Sequence, residues 1–307
     1  MLALLDDCKK TGDVTYLNDA ITIGNWITAN LEDLTGTGYG GYYAGYFGYD
    51  SNMHGVINFG KSTENNGDIF AAFTALASIE SNLGNQNAAA SWTNLANAAG
   101  DFVMQMFDSS KGRFNAGTVP AGTPASPGIC PTGTQKGNDV INVCDFVDSN
   151  TFTTLAMAGA PRYNSQIDWR QPIQYVLSTF AQTVTAAGLT FQGFDIVATP
   201  TSGANGISWE FTGQVVETMI YVDQLYAQTT FSSQISLYLA QIQQAQTSAP
   251  FGDGLGLVAA TLQGGDTLPP AQQCLSTPFQ CIPERVGLAA TSWAVLAEQG
   301  VNPLLLP

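Results

Sequence analysis

Residues 61–79 read KSTENNGDIFAAFTALASI. The run opens on hydroxyl, amide and acidic side chains. It continues as an apolar stretch in which Ile69, Phe70, Phe73, Leu76 and Ile79 recur at helical spacing, which predicts a helix over 68–83. Ser62 and Thr63 are natural helix caps, and acids in a first turn are favoured by the helix dipole. Glu64 and Asp68 are four residues apart, so on a helix they share a face. Two readings stand side by side. The acids finish a helix end, or they form a carboxylate pair on a rim, as general acid/base chemistry requires.

The same opening recurs further along. Asp145-Phe146-Val147-Asp148-Ser149-Asn150 precedes a second apolar helix, and Ser208-Trp209-Glu210-Phe211-Thr212-Gly213-Gln214 a third. Here too Asp148, Ser149 or Ser208 can serve as caps. Other helical segments fall at 14–31, 88–108, 150–158, 169–187, 209–225, 231–244 and 286–298. Residues 81–86 (SNLGNQ) are a helix stop followed at once by a start. Long Gly-rich loops at 35–61, 111–148, 188–207 and 246–283 separate the pairs, and loops of that length are usually functional. The alternation of helix, turn, helix and long loop predicts an all-α toroid of helix hairpins. It forms one domain over 1–307, with short β-hairpins in the loops. The loops of such a ring gather at one end and border a cleft.

The loop 36–50 reads GTGYGGYYAGYFGYD. Its Tyr39, Tyr42, Tyr43 and Tyr46 offer flat faces with hydroxyls, on which sugar rings stack through their C–H patches. The alternative is a twisted β-hairpin whose aromatics only pack on the ring. Trp209, Gln214, Asp253 in the Gly-rich 251–255 and Trp293 on the last helix are further candidates for substrate contact. Asp253 could equally make a turn.

A carboxylate at a helix N-terminus has its anion stabilised, which suits a base or nucleophile. A proton donor needs opposing burial. Glu210 beside Trp209 is the predicted acid, with Asp148 or Glu64 as its partner and Asp68 on the same rim.

Composition narrows the class. The chain has 307 residues, 45% of them hydrophobic, enough for a sizeable core. Charged residues are 11%, against about a quarter in an average soluble domain. The net charge of −15, from 24 acids and 9 bases, repels phosphate backbones and anionic membranes, so no nucleic acid is expected as a partner. No run is long and apolar enough to span a bilayer, so no membrane insertion is expected either. Met1–Lys10 is too short and acidic for a signal peptide; it reads as the inside of a helix, with a segment expected upstream. Cys130 with Cys144, and Cys274 with Cys281, are spaced for local disulfides, which points to secretion or the cell surface; five free cytosolic thiols are the alternative. Cys8 is left over, as a buried thiol or a link to another chain. With one histidine, His54, histidine-rich metal sites are excluded, and no Gly-rich phosphate cradle follows a strand. No cofactor is called for; a structural calcium near Asp50–Asn52 or Asp145–Asn150 is the weaker option.

Several short stretches together resemble the six-hairpin, (α/α)6-toroid glycosidase-like superfamily, in its bacterial extracellular members. They are Thr11-Gly12-Asp13 with Tyr16-Leu17 and Trp26-Ile27; Ser62 to Asn66 with Asp68 and Ala71-Ala72-Phe73; Gly112-Arg113-Phe114 with Gly117-Thr118; Trp209-Glu210 with Thr212-Gly213-Gln214; and Ala289 to Trp293 with Gly300 to Pro303. The resemblance implies inner and outer helices around a sugar cleft, with Glu64, Asp68, Asp148 and Glu210 as the matching acids. About ten helical segments rather than twelve imply one incomplete hairpin. Three functions follow from it: a hydrolase of a neutral polysaccharide, a non-catalytic glycan-binding or self-assembling surface protein, and a polysaccharide lyase. Nine basic residues make the lyase the weakest.

Overall fold

Local signals pair the helices. Gly12 ends the first in a left-handed turn, and the Asp13 carboxylate then accepts from the Thr15 N–H to start the second. The structure, a computed structural model, describes residues 1–52, 54–197, 206–267, 274–276 and 281–305. In chain order its helices are α1 (Leu2–Thr11), α2 (Val14–Leu31), α3 (Thr63–Asn82), α4 (Gln86–Gln105), α5 (Asp148–Met157), α6 (Arg170–Thr179), α7 (Trp209–Leu225), α8 (Ser232–Ser248) and α9 (Leu288–Gln299). Helices α3, α5, α7 and α9 stand side by side, with α4 and α8 behind α3 and α7 and with α1 and α2 against α3. Among the described residues this makes four pairs and one single helix, short of the twelve helices of a complete ring.

Close approach fixes part of this packing. A Cβ on Gly213 of α7 would lie 2.9 Å from the Trp293 main-chain carbon of α9, so the two helices touch backbone to backbone there. The apolar interior has two centres. One holds Phe73, Trp92, Phe102, Phe114 and Trp169 around α1–α5, and the other holds Phe180, Phe191, Phe194 and Trp209 around α6–α9.

The loops carry more strand than short hairpins. Hairpin β1 (Gly45–Tyr49) with β2 (Gly55–Asn58) projects between α2 and α3. Strands β3 (Lys61–Ser62), β4 (Phe107–Asp108), β5 (Arg113–Phe114), β6 (Gly117–Pro120), β7 (Gln135–Lys136) and β8 (Asp139–Asn142) follow, and four of them form an antiparallel sheet in the order β3-β6-β8-β7. A second four-stranded sheet runs β12-β11-β10-β9, from β9 (Ala181–Ala186), β10 (Leu189–Phe194), β11 (Gly206–Ser208) and β12 (Ala260–Leu262). The helix expected over 169–187 therefore stops at Thr179. Thr183, Val184 and Thr185 favour a pleated strand, and Ala187-Gly188, both at positive φ, turn the hairpin. Cys130 is bonded to Cys144 and Cys274 to Cys281, while Cys8 is a buried free thiol.

Candidate active site

Three neighbouring helices begin at one place. Glu64 is the second residue of α3, Asp148 the first of α5 and Glu210 the second of α7. Capping does not account for Glu64, because the Ser62 hydroxyl takes that role and accepts from the Asn65 N–H at 3.2 Å. The expected cap at Ser208 is absent: its buried Oγ has no partner, and α7 starts without a side-chain cap. Asp148 Oδ1 accepts from the Ser149 N–H at 2.7 Å. Asp68 lies one turn further along α3, with one carboxyl oxygen buried and unpartnered.

The structure brings these four acids into one electrostatic cluster. Burial and the charges of Asp148, Asp68 and Glu210 push Glu64 up to about 9, and Glu64 shares a hydrogen bond with Asp148. Burial and Asp148 push Asp68 up to about 7 and raise Glu210 as well. Burial also raises Asp148, against the bonds it accepts from Ser149 and Glu64. The lowered values expected of helix N-termini are thus overturned, because burial and like charge outweigh the dipole. The nearby cations are engaged elsewhere. Buried Lys61 lies between Asp33 and Asp139, and buried Arg113 pairs with Asp145.

Glu64 and Asp148 open on a cleft of about 690 Å³. Phe47, Ile57 and Phe59 of the β1–β2 region form one side, and Thr118 to Pro120 with Pro127 to Ile129 the other. Asp68 instead reaches a second cavity of about 840 Å³, walled by Ile27, Phe152, Trp293, Leu296 and Leu304.

The predicted contact residues divide. Tyr42 is a core residue: its ring is fully buried and its hydroxyl donates to the Leu95 carbonyl. Trp209 is also a core residue, fully buried with Nε1–H donating to Thr261, so it packs into the second core. Gln214 is buried one turn below Glu210, where it accepts from the Thr151 hydroxyl. Asp253 makes a turn, accepting from the N–H groups of Leu255 and Gly256. Tyr39 is held by Thr134 and Lys136, and Tyr43 by Phe59 and Lys61. Tyr46 is exposed and packs on Trp26, and Trp293 packs edge-on against Phe152. In the segments suggested for calcium, Asp50 accepts from the N–H groups of Asn52 and His54, Asp145 pairs with Arg113, and Asn150 accepts from the Phe114 N–H. Among the described residues no three acidic, histidine or cysteine side chains are grouped to hold a metal ion. The contact residues suggested by the sequence omit Phe47, Ile57 and Phe59, although the aromatic-rich Tyr46–Tyr49 carried a strand signal.

No protein-family model and no curated protein sequence matches the chain. Solved structures do. A glycoside hydrolase family 76 mannosidase from Bacteroides thetaiotaomicron superposes with a TM-score of 0.56 at 13% identity, over 97% of this chain and 67% of that one. The fold is the α/α toroid. A sugar epimerase from a ruminal bacterium gives 0.54 at 13% identity, over 85% of this chain and 61% of that one. An inactive α-1,6-mannanase variant of Salegentibacter, in complex with α-1,6-mannotriose, gives 0.51 at 11%, over 99% of this chain and 73% of that one. Hydrolase and epimerase share this toroid, so activity must be argued from the site rather than from the fold.

Proposed function

We propose that the protein hydrolyses glycosidic bonds in a neutral polysaccharide. The reading rests on one observation: two carboxyl groups, Glu64 and Asp148, lie within hydrogen-bonding reach of each other on the lining of an aromatic-edged cleft. A hydrogen-bonded pair is tighter than the about 5–5.5 Å of retaining and about 6.5–9.5 Å of inverting carboxylates, so the two act as one proton-holding unit. Glu64 gives the proton to the leaving oxygen as the C–O bond breaks. Glu210, which feels the charge of Asp148 but does not itself line the cleft, is assigned the proton of the water that attacks the anomeric carbon. These roles reverse the sequence expectation, since Glu64 rather than Glu210 is the group pushed furthest toward its protonated form. Two disulfides fit a secreted or surface location.

The test is an assay on α-1,6-mannan, β-glucan and xylan, with Glu64→Gln and Glu210→Gln beside the unaltered protein. Each variant is expected to lose about 10²–10⁴-fold in kcat. Undiminished turnover in Glu64→Gln sinks the assignment. Binding of a polysaccharide with no turnover in any form favours the non-catalytic glycan-binding reading.

A further inference from the structure

The β1–β2 hairpin exposes an unusual amount of aromatic surface. Phe47 is 76% exposed, Tyr49 72%, Phe59 52% and Trp26, on the adjoining α2, 49%. In a chain this poor in charge, a cluster of exposed rings carries a standing solubility cost and marks a contact surface. Two rings of this region, Tyr46 and Phe59, are also held in place. Tyr46 packs on Trp26 with centroids 6.0 Å apart, and Phe59 meets Tyr43 edge-on at 5.3 Å. Tyr43 is in turn held beneath the Lys61 ammonium, 5.2 Å from its ring. An isolated two-stranded hairpin is marginal in water, so these braces anchor the hairpin to α2 and set the angle of the Phe59 face. Faces set in advance lose little freedom when a ligand arrives.

Two of the rings belong to two surfaces at once. Phe47 and Phe59 are part of the exposed patch, and they also form one side of the cleft that ends on Glu64 and Asp148. A ligand lying in the cleft therefore runs out onto the patch. We propose that the β1–β2 hairpin is a stacking platform, through Phe47, Phe59 and Tyr49, for the stretch of a neutral polysaccharide chain that extends beyond the cleft. The occupant is fixed by the charge of the surroundings as well as by shape. The molecule carries −15, which repels acidic glycans and anionic lipid, and Asn58 on the cleft wall offers amide hydrogen bonds to sugar hydroxyls. This rests on the hydrolase reading for the direction of the chain, but the platform itself binds whether or not the bond is cut.

The experiment measures equilibrium binding of α-1,6-mannan, laminarin and xylan to full-length Glu64→Gln protein. The same titrations are run on Glu64→Gln carrying Phe47→Ala and Tyr49→Ala together. Both rings are exposed, and circular dichroism checks that the fold persists. The expected result is that one polymer binds and that the double substitution weakens it about tenfold or more. The proposal is overturned if the platform variant binds the polymer as tightly as its parent, or if no polymer of the three binds. It is overturned too if the substitutions instead abolish self-association or adsorption to neutral lipid vesicles while leaving glycan binding intact. Turnover by unaltered protein in the same series judges the hydrolase separately: platform-dependent binding without turnover sinks the hydrolase alone, and turnover without a platform effect sinks the platform alone.

Discussion

Lys61 of β3 and Glu64 at the start of α3 stand three residues apart, and each sits among carboxylates. Around Lys61, Asp33 and Asp139 flank an ammonium that has no exposure of its own. Burial pushes Asp33 up, but Lys61 and the Thr35 bonds outweigh it and hold the carboxyl down to about 2. Around Glu64 the neighbours are Asp68, Asp148 and Glu210, with no cation among them, and burial and repulsion push Glu64 up to about 9. Both groups are carboxylates, but Asp33 is the shallower and has a cation against it, while Glu64 is the deeper and has only acids around it, so burial and charge together drive the two apart. The neutralised cluster ties the loop after α2 to the β3-β6-β8-β7 sheet, because the Asp139 carboxylate also accepts from the Tyr39 N–H. The unneutralised cluster holds no ion pair, and it is the one that opens on the cleft. Retained repulsion is a common sign of a site kept for chemistry rather than for stability.

Breaking the contrast at its strong side gives the largest effect. Lys61→Met leaves Asp33 and Asp139 buried without a counter-charge, and should cost about 3–5 kcal/mol in urea unfolding. A loss under about 1 kcal/mol would mean the triad is not closed to water as described. The pH dependence of stability sharpens the same contrast. Asp33 binds its proton less readily when folded, so its contribution is present above about pH 4 and is lost as pH falls toward 2. Glu64 and Asp68 bind theirs more readily when folded, so they cost nothing below about pH 4. They then destabilise increasingly as pH rises, Asp68 up to about 7 and Glu64 up to about 9. Thermal midpoints should therefore peak near pH 4–5. Glu64→Gln should flatten the alkaline limb and be the more stable form at pH 8 by about 1–2 kcal/mol. A steeper alkaline limb in that variant would contradict the charge account. The smallest effect belongs to the exposed pair of Lys10 with Asp6 on α1, where Lys10→Met should leave the midpoint unmoved. A clear loss there would show that the contrast is not one of burial.

Much of the ring was legible in the sequence. Helices 14–31 and 209–225 coincide with α2 and α7, because their apolar positions recur at a single helical period. The acids at three helix starts were also visible, since each follows a polar run and precedes an apolar one. Their convergence was not, because it depends on which helices become neighbours. The Lys61 triad was hidden for the same reason: Asp33 and Asp139 lie far apart along the chain, and neither stands in a recognisable motif. Tyr42 and Trp209 misled because a ring next to Gly-rich or acidic sequence gives no sign of the direction it faces. Both turn inward, where a hydroxyl and an indole N–H each find an acceptor.

The far wall of the cleft, Pro127 to Ile129, leads directly into Cys130. It is moored at two points of different chemical kind. One is the covalent link from Cys130 to Cys144. The other is the Asn142 side chain, which accepts from the Cys130 N–H and donates to the Gly128 carbonyl. Reduction cuts the first mooring and leaves the second untouched. The rim of the cleft thus carries its own reserve against a change of redox surroundings, supplied by a single amide.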